Sequence, residues 1–377
     1  MKLIALKDVC KINMGQSPNS SSYNDYGDGM PFFQGNADFG ERYPITRVWC
    51  NTPTKIAQAE DILISVRAPI GALNYAKEEC CIGRGLAAIT PDRNKVSQDF
   101  IYWALKGKKA ELNDKGNGST FKAISRKILE ETMIPDINFE QQHKCAENLE
   151  KIYGIIQNRR KELLALDDLI KARFVEMFGH ETNSNKWDIV KVEDVADVQV
   201  GVVIKPSQYY TNQNNGIRAF RSLNIGAGYI KDTDWVYFTE EGHQKNAKSI
   251  LKENDLIIVR SGTPGTACVV TKEYAGCNAI DIIIAHPNCK KVNPFYLCAF
   301  TNMPHGKKQI DEGIGGAAQQ HFNVGKYNKV RLMLPPMELQ KEFEIFVHQV
   351  DKSKVAVQKA LDETQLLFDS LMQEYFG

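Results

Sequence analysis

A chain of 377 residues with 43% apolar side chains is long enough to bury two cores, and its net charge of +1 carries no bulk basic signature of nucleic-acid binding. Nine scattered cysteines, whose only close pair is the adjacent Cys80 and Cys81, exclude a disulfide scaffold and point to a reducing, cytoplasmic setting. No run of eighteen apolar residues occurs and the opening MKLIALKDVCKIN is not leader-like, so neither a membrane span nor export is expected.

In chain order, the first elements are an amphipathic stretch, LKDVCKINMG (6–15), and polar loops around GMPFFQGN (29–36). The apolar run DILISV (61–66) reads as a strand closed by Arg67, followed by the turn Ala68-Pro69-Ile70-Gly71 and a further strand. SQDFIYWALKGKKAEL (97–112) reads as a helix with Ser97 as its N-cap, and the glycine-rich loop GNGSTFKAIS follows. After IPDI (134–137) a long helix is expected over 139–179, between Pro135 and Gly179.

The same series then recurs. VEDVADVQVG (192–201) lies over the opening stretch, GIRAFRSLN (216–224) over the loop, and NDLIIVRSGTPG (254–265) over the strand, arginine and turn. NPFYLCAFTNMPHGKKQI (293–310) is the second helix with Asn293 as its cap, GIGGAAQQHFNV the second glycine-rich loop, and LPPM (334–337) the second proline boundary. The chain is therefore a diverged tandem duplication with a period of roughly two hundred residues, too long for a solenoid. Charge divides as +2 over 1–138, 0 over 139–179, +3 over 180–336 and −4 over 337–377.

In the first long helix, steps of three and four pick out Leu149, Ile152, Ile156, Arg159, Leu163, Leu166, Ile170, Arg173 and Met177. A constant offset of 198 gives Val347, Val350, Lys354, Val357, Leu361, Thr364, Phe368, Leu371 and Tyr375 in the second. That spacing is a coiled-coil seam, with Arg159, Arg173 and Lys354 as polar intrusions that fix register. Helices of this length, about 60 Å at 1.5 Å per residue, are expected to bury their stripes on each other as an antiparallel pair; the alternative is that each packs on its own globular unit. The expected organisation is an α+β fold of two similar domains, 1–138 and 181–335, with spacer helices at 139–180 and 336–377.

Catalytic signatures fail on inspection. Asn293-Pro-Phe-Tyr296 lacks the second proline of an adenine methyltransferase motif, and no glycine-rich cofactor loop precedes it. Pro91-Asp92 and Pro135-Asp136 have no nuclease partner motif, Gly325-Lys326 has no upstream P-loop glycine, and Cys268, Cys277, Cys289 and Cys298 are too widely spaced for zinc pairs. The chain is read as having no reaction of its own and no cofactor.

The order of these elements, with IPDINFEQQ and LPPMELQ leading into the long helices and Phe178-Gly179 and Phe376-Gly377 ending them, resembles the specificity subunit of type I restriction–modification systems, the HsdS family. The resemblance covers essentially the full length. It implies a non-catalytic subunit that binds double-stranded DNA and reads a split, asymmetric site, one part with each target-recognition domain. The helices would set the spacing and dock two methyltransferase subunits, which bring S-adenosylmethionine, and restriction or motor subunits would join that assembly.

Residues shared by both halves cannot distinguish two half-sites, so Arg67 and Arg260 are candidates for backbone positioning or for scaffold. Base choice is expected at loop positions that differ. In the first half these are Gln16, Ser17, Asn19, Gln34, Asn36, Ser119, Thr120 and Lys122. In the second they are Lys205, Arg218, Arg221, Asn224, Ser261, Thr263, Gln319, Gln320 and His321. Asn and Gln suit the adenine edge, Arg and Lys the guanine edge. Tyr209 and Tyr210 are open to stacking or burial. The competing readings are a coiled-coil scaffold spacing two ligand-binding modules, and a self-contained fused enzyme.

Overall fold

The computed structural model describes residues 2–116, 122–179, 186–314 and 322–377. They form two compact units: Met1–Arg160 together with Lys359–Gly377, and the contiguous Lys161–Gln358.

Each unit has the same strand plan. In the first, Leu3–Ala5 pairs with Met133–Pro135, and a four-stranded sheet runs in the order Cys10–Met14, Leu86–Pro91, Ile62–Ser65, Leu73–Tyr75. In the second, Asp188–Lys191 pairs with Arg331–Leu334, and the matching sheet runs Ala196–Val200, Ile282–Pro287, Leu256–Val259, Ala267–Val269. Both four-stranded sheets are antiparallel throughout. Ile62–Ser65 and Leu256–Val259 are buried at every position, which explains why Ser65 is their one polar residue. A second sheet in each unit holds one parallel pair, Phe32 against Cys81 in the first and Ala219 against Asn278 in the second. The mixed helix and sheet is thus built twice in tandem.

The helix expected over 97–112 is two, Gln98–Gly107 and Lys109–Asp114, and that expected over 293–310 breaks at Met303 into Pro294–Asn302 and Pro304–Ile314. Asn293 caps as expected, its Oδ1 accepting from the Phe295 and Tyr296 N–H groups. Ser97 does not cap with its side chain. Instead its N–H donates to Gln142 Oε1 (2.7 Å), as the Asn293 N–H donates to Gln340 Oε1 (2.7 Å). These glutamines, 2% and 1% exposed, also donate to the Ile137 and Pro335 carbonyls just ahead of the long helices. The recurring glutamine in IPDINFEQQ and LPPMELQ therefore ties each long helix to the globular part of its unit.

The long helices are Phe139–Phe178 and Met337–Phe376. Within the first unit the start of one meets the end of the other: Asn148 donates to the Tyr375 hydroxyl (3.3 Å), and Tyr153 lies 6.1 Å from Phe368. Within the second, Lys354 pairs with Asp167 (2.6 Å) and Arg173 with Glu342 (2.9 Å). In both units the paired numbers run in opposite senses, so the segments are antiparallel. Contact with the globular part is equally substantial. Phe174 stacks on Tyr296 (5.5 Å) and Phe178 meets it edge-on (4.9 Å), while Phe376 lies 5.5 Å from Phe100. Among the described residues no helix is long and apolar enough to cross a membrane.

Candidate nucleic-acid interface

In the first unit three stretches of chain cross at one end of the four-stranded sheet. The Gly15 N–H donates to the Leu86 carbonyl (2.9 Å) and the Gln16 N–H to that of Ile82 (3.0 Å), laying the segment after Cys10–Met14 against residues 82–86. From the loop after Met30–Phe33, the Phe33 and Gln34 carbonyls accept from the Gly83 and Gly85 N–H groups (2.8 and 3.1 Å). A Cβ at position 83 would lie 2.9 Å from Gln34 Cα, and one at 85 would lie 2.5 Å from the Gln34 carbonyl oxygen. Only glycine allows this approach on both sides of Arg84.

The side chains converge there. The Ser17 hydroxyl lies 3.0 Å from the Gln34 amide oxygen and 2.9 Å from its nitrogen, and accepts from the Arg84 N–H (3.3 Å). Gln16, Ser17 and Gln34, chosen from separate stretches of sequence, are thus neighbours. Arg84 joins them, although sequence reasoning passed over it; the signal was a charged residue between two glycines at the end of an apolar strand. Gln16, Gln34 and Arg84 are exposed. Burial raises the pKa of the Tyr23 hydroxyl, and the positive charge of Arg84 opposes that rise.

Other candidates fall differently. Asn19 caps the short turn Ser20–Ser22 through its side chain (3.1 Å to the Ser21 N–H), and Asn36 is half-buried at the start of Asn36–Asp38. Arg67 is exposed and pairs through its backbone with Ala123, beside the exposed Lys122. Ser119, Thr120, Gln319, Gln320 and His321 lie outside the described residues.

The second unit repeats the crossing with other chemistry. The Gly201 and Val202 N–H groups donate to the Ile282 and Ala279 carbonyls (3.0 and 2.8 Å), which sets Val202 in the place of Gln16 and the single residue Asp281 in that of the pair Arg84-Gly85. Arg221 stands where Gln34 does: the backbone N–H of each is held by a side chain later in the same loop, Asn224 or Asp38. Val203, Ile204 and Leu223 are 48%, 79% and 63% exposed, so this rim is largely apolar.

Asn224 must be removed from the base-facing candidates. It is 0% exposed, and its amide donates to the Thr233 carbonyl (2.6 Å) while its oxygen holds Arg221. Arg218 is half-buried, lying over the Trp235 and Tyr274 rings (5.6 and 5.9 Å) with Asp232 3.9 Å away. Arg260 is held inside the unit by Asp281. Lys205 and Thr263 are exposed and Ser261 is half-buried. Tyr209 and Tyr210 both pack against Phe238 (5.7 and 6.1 Å).

Gln, Ser and Arg on a rigid crossing supply donors, acceptors and charge suited to base edges and phosphates. Among the described residues there is no cluster of His, Cys, Asp or Glu able to hold a metal ion. Fold and rim together define a two-headed binding protein whose heads share a backbone plan and differ in the side chains they present. Residues 1–166 and 184–364 match the family described as the type I restriction modification DNA specificity domain, and the chain belongs to that family.

The putative type I restriction enzyme MjaX specificity subunit of Methanocaldococcus jannaschii is 47% identical over 152 residues, which are 40% of this chain and 36% of that protein. The EcoBI specificity subunit of Escherichia coli is 21% identical across 99% of this chain and 85% of its own length. The crystal structure of the type I restriction–modification S subunit from M. genitalium shares the fold, with a TM-score of 0.61 and 14% identity over 100% of this chain and 96% of that one.

Proposed function

We propose that the chain is the DNA-recognition subunit of a type I restriction–modification complex and reads a bipartite, asymmetric site. Residues 1–138 and 181–335 act as target-recognition domains, and 139–180 and 336–377 as spacer helices forming an antiparallel coiled coil. The observation that carries this reading is the repeated crossing, where one backbone arrangement presents Ser17, Gln34 and Arg84 in one unit and Val203, Arg221 and Asp281 in the other. A duplicated scaffold with divergent rims is what reading two different half-sites requires, since shared residues discriminate nothing. Half-sites read from one face of the duplex would lie about one helical turn, roughly 34 Å, apart.

Two methyltransferase subunits dock on the long helices, where Ile155, Leu164, Val355 and Leu366 remain exposed, and restriction subunits add to that complex in the cytoplasm. Chemistry belongs to those partners. Because phosphate contacts supply most non-specific affinity, a chain of net charge +1 binds DNA weakly alone and tightly in complex. A gel shift on random-sequence duplex with and without a methyltransferase subunit tests this: partner-dependent retention is expected, and its absence at every sequence would favour the scaffold reading.

A further inference from the structure

The exchange of Arg84 for Asp281 has a direct electrostatic result. In the second unit the acid reaches the arginine that closes the strand: Asp281 pairs with Arg260, whose Nε donates to the Phe322 carbonyl (3.2 Å) and whose side chain is only 16% exposed. In the first unit the strand register sets the buried Val66 at the place of Arg260, so no arginine stands there to take an acid. Arg67 and Arg84 are both exposed, and among the described residues neither has a carboxylate within ion-pair distance.

Asp38 and Arg221, on the loops that cross, are already engaged. Asp38 accepts the Gln34 and Gly35 N–H groups (2.8 and 3.4 Å) through one carboxylate oxygen. Arg221 is half-buried and donates through Nη2 to the Asp234 carbonyl.

Resting on the DNA-reading function proposed above, we infer that Arg84 is the principal DNA-contacting cation of the first unit, whereas at the second unit's crossing an acid stands instead and is closed on Arg260. The glycines on either side fix the backbone of Arg84, so only side-chain rotamers are ordered on binding. Ser17 and Gln34 supply hydrogen bonds next to that charge. Arg84 then serves either a phosphate or the O6/N7 edge of guanine.

The test titrates the full chain, alone and with a methyltransferase subunit, into a fluorescent random-sequence duplex of about 30 base pairs between about 50 and 200 mM salt. Arg84→Ala is expected to weaken binding about fivefold at the low end and to reduce the slope of log K against log salt by about 0.9. Arg84→Asp weakens it about tenfold or more and lowers the slope by at least about 0.9, because a carboxylate now faces the phosphates that the guanidinium contacted. Its melting temperature stays at that of the wild type.

Arg93→Ala serves as the control. It removes a cation paired with Glu60 (2.8 Å) just beyond the far end of Leu86–Pro91, and leaves binding unchanged. Wild-type affinity and slope in Arg84→Asp would overturn the inference alone, as would an equal loss in Arg93→Ala. A lowered melting temperature in Arg84→Asp would assign Arg84 a structural role instead. A wild-type chain that retains no duplex even with its partner would overturn the DNA-reading function and this inference with it.

Discussion

Arg67 is exposed whereas Arg260 is held inside its unit, because the strand register places Arg260 at the position of the buried Val66, where Asp281 reaches it, and Arg67 one residue further on. Arg260→Ala should therefore cost ~2 kcal/mol by stranding a partly buried carboxylate and the Phe322 carbonyl, whereas Arg67→Ala should stay within ~0.5 kcal/mol in urea denaturation. Sequence alone does not separate the two, since the one-residue offset shows only in the strand register and the aspartate that holds Arg260 lies 21 residues along the chain. For the same reason Asn224 looked like a reader: polarity in a loop does not tell a side chain that presents itself from one that holds the loop together. Ser17 and Gln34 were legible as candidates because the repeat marks positions that diverge. Their contact was not, because it depends on two glycines whose role appears only when the loops meet.

At the level of elements, the apolar spacing of the long helices was legible, and all eighteen seam positions are at least partly buried. What the three-four spacing hid was a second buried face, because Phe174 and Phe178 lie one position beyond Arg173 and Met177 and pack on Tyr296 and Phe343. Phe174→Ala should cost ~3–5 kcal/mol in the second unit, read by urea denaturation. Gln142→Leu should cost ~2 kcal/mol by leaving the Ser97 N–H and the Ile137 carbonyl without partners.

Lys106, whose Nζ lies 3.8 Å from the Tyr153 ring centroid, has its pKa lowered from 10.5 to about 8 by burial, with Glu150 opposing. Between those values the unfolded chain holds the extra proton, so the contribution of this lysine to stability rises with pH across that window. Stability of the wild type relative to Lys106→Met should grow by about 3 kcal/mol from pH 7 to pH 10.5, measured by urea denaturation at each pH.

At the scale of the molecule, the first long helix begins in one unit and ends in the other, and the second does the reverse. The first unit thus takes Phe368 and Phe376 from the end of the chain to complete the core around Phe100 and Trp103. Deleting 359–377 should remove hydrogen-exchange protection from Gln98–Gly107 while Leu256–Val259 in the contiguous unit keeps its own. Replacing 1–138 with its counterpart from a related subunit should change one half of the methylated site and leave the other, which genome-wide mapping of methylation would show. The same discontinuity sets an order of birth. A ribosome adding about 5–20 residues per second finishes every part of the second unit before it makes the last strip of the first. The N-terminal head, although synthesised earliest, must wait with an open seam until residues 359–377 are made.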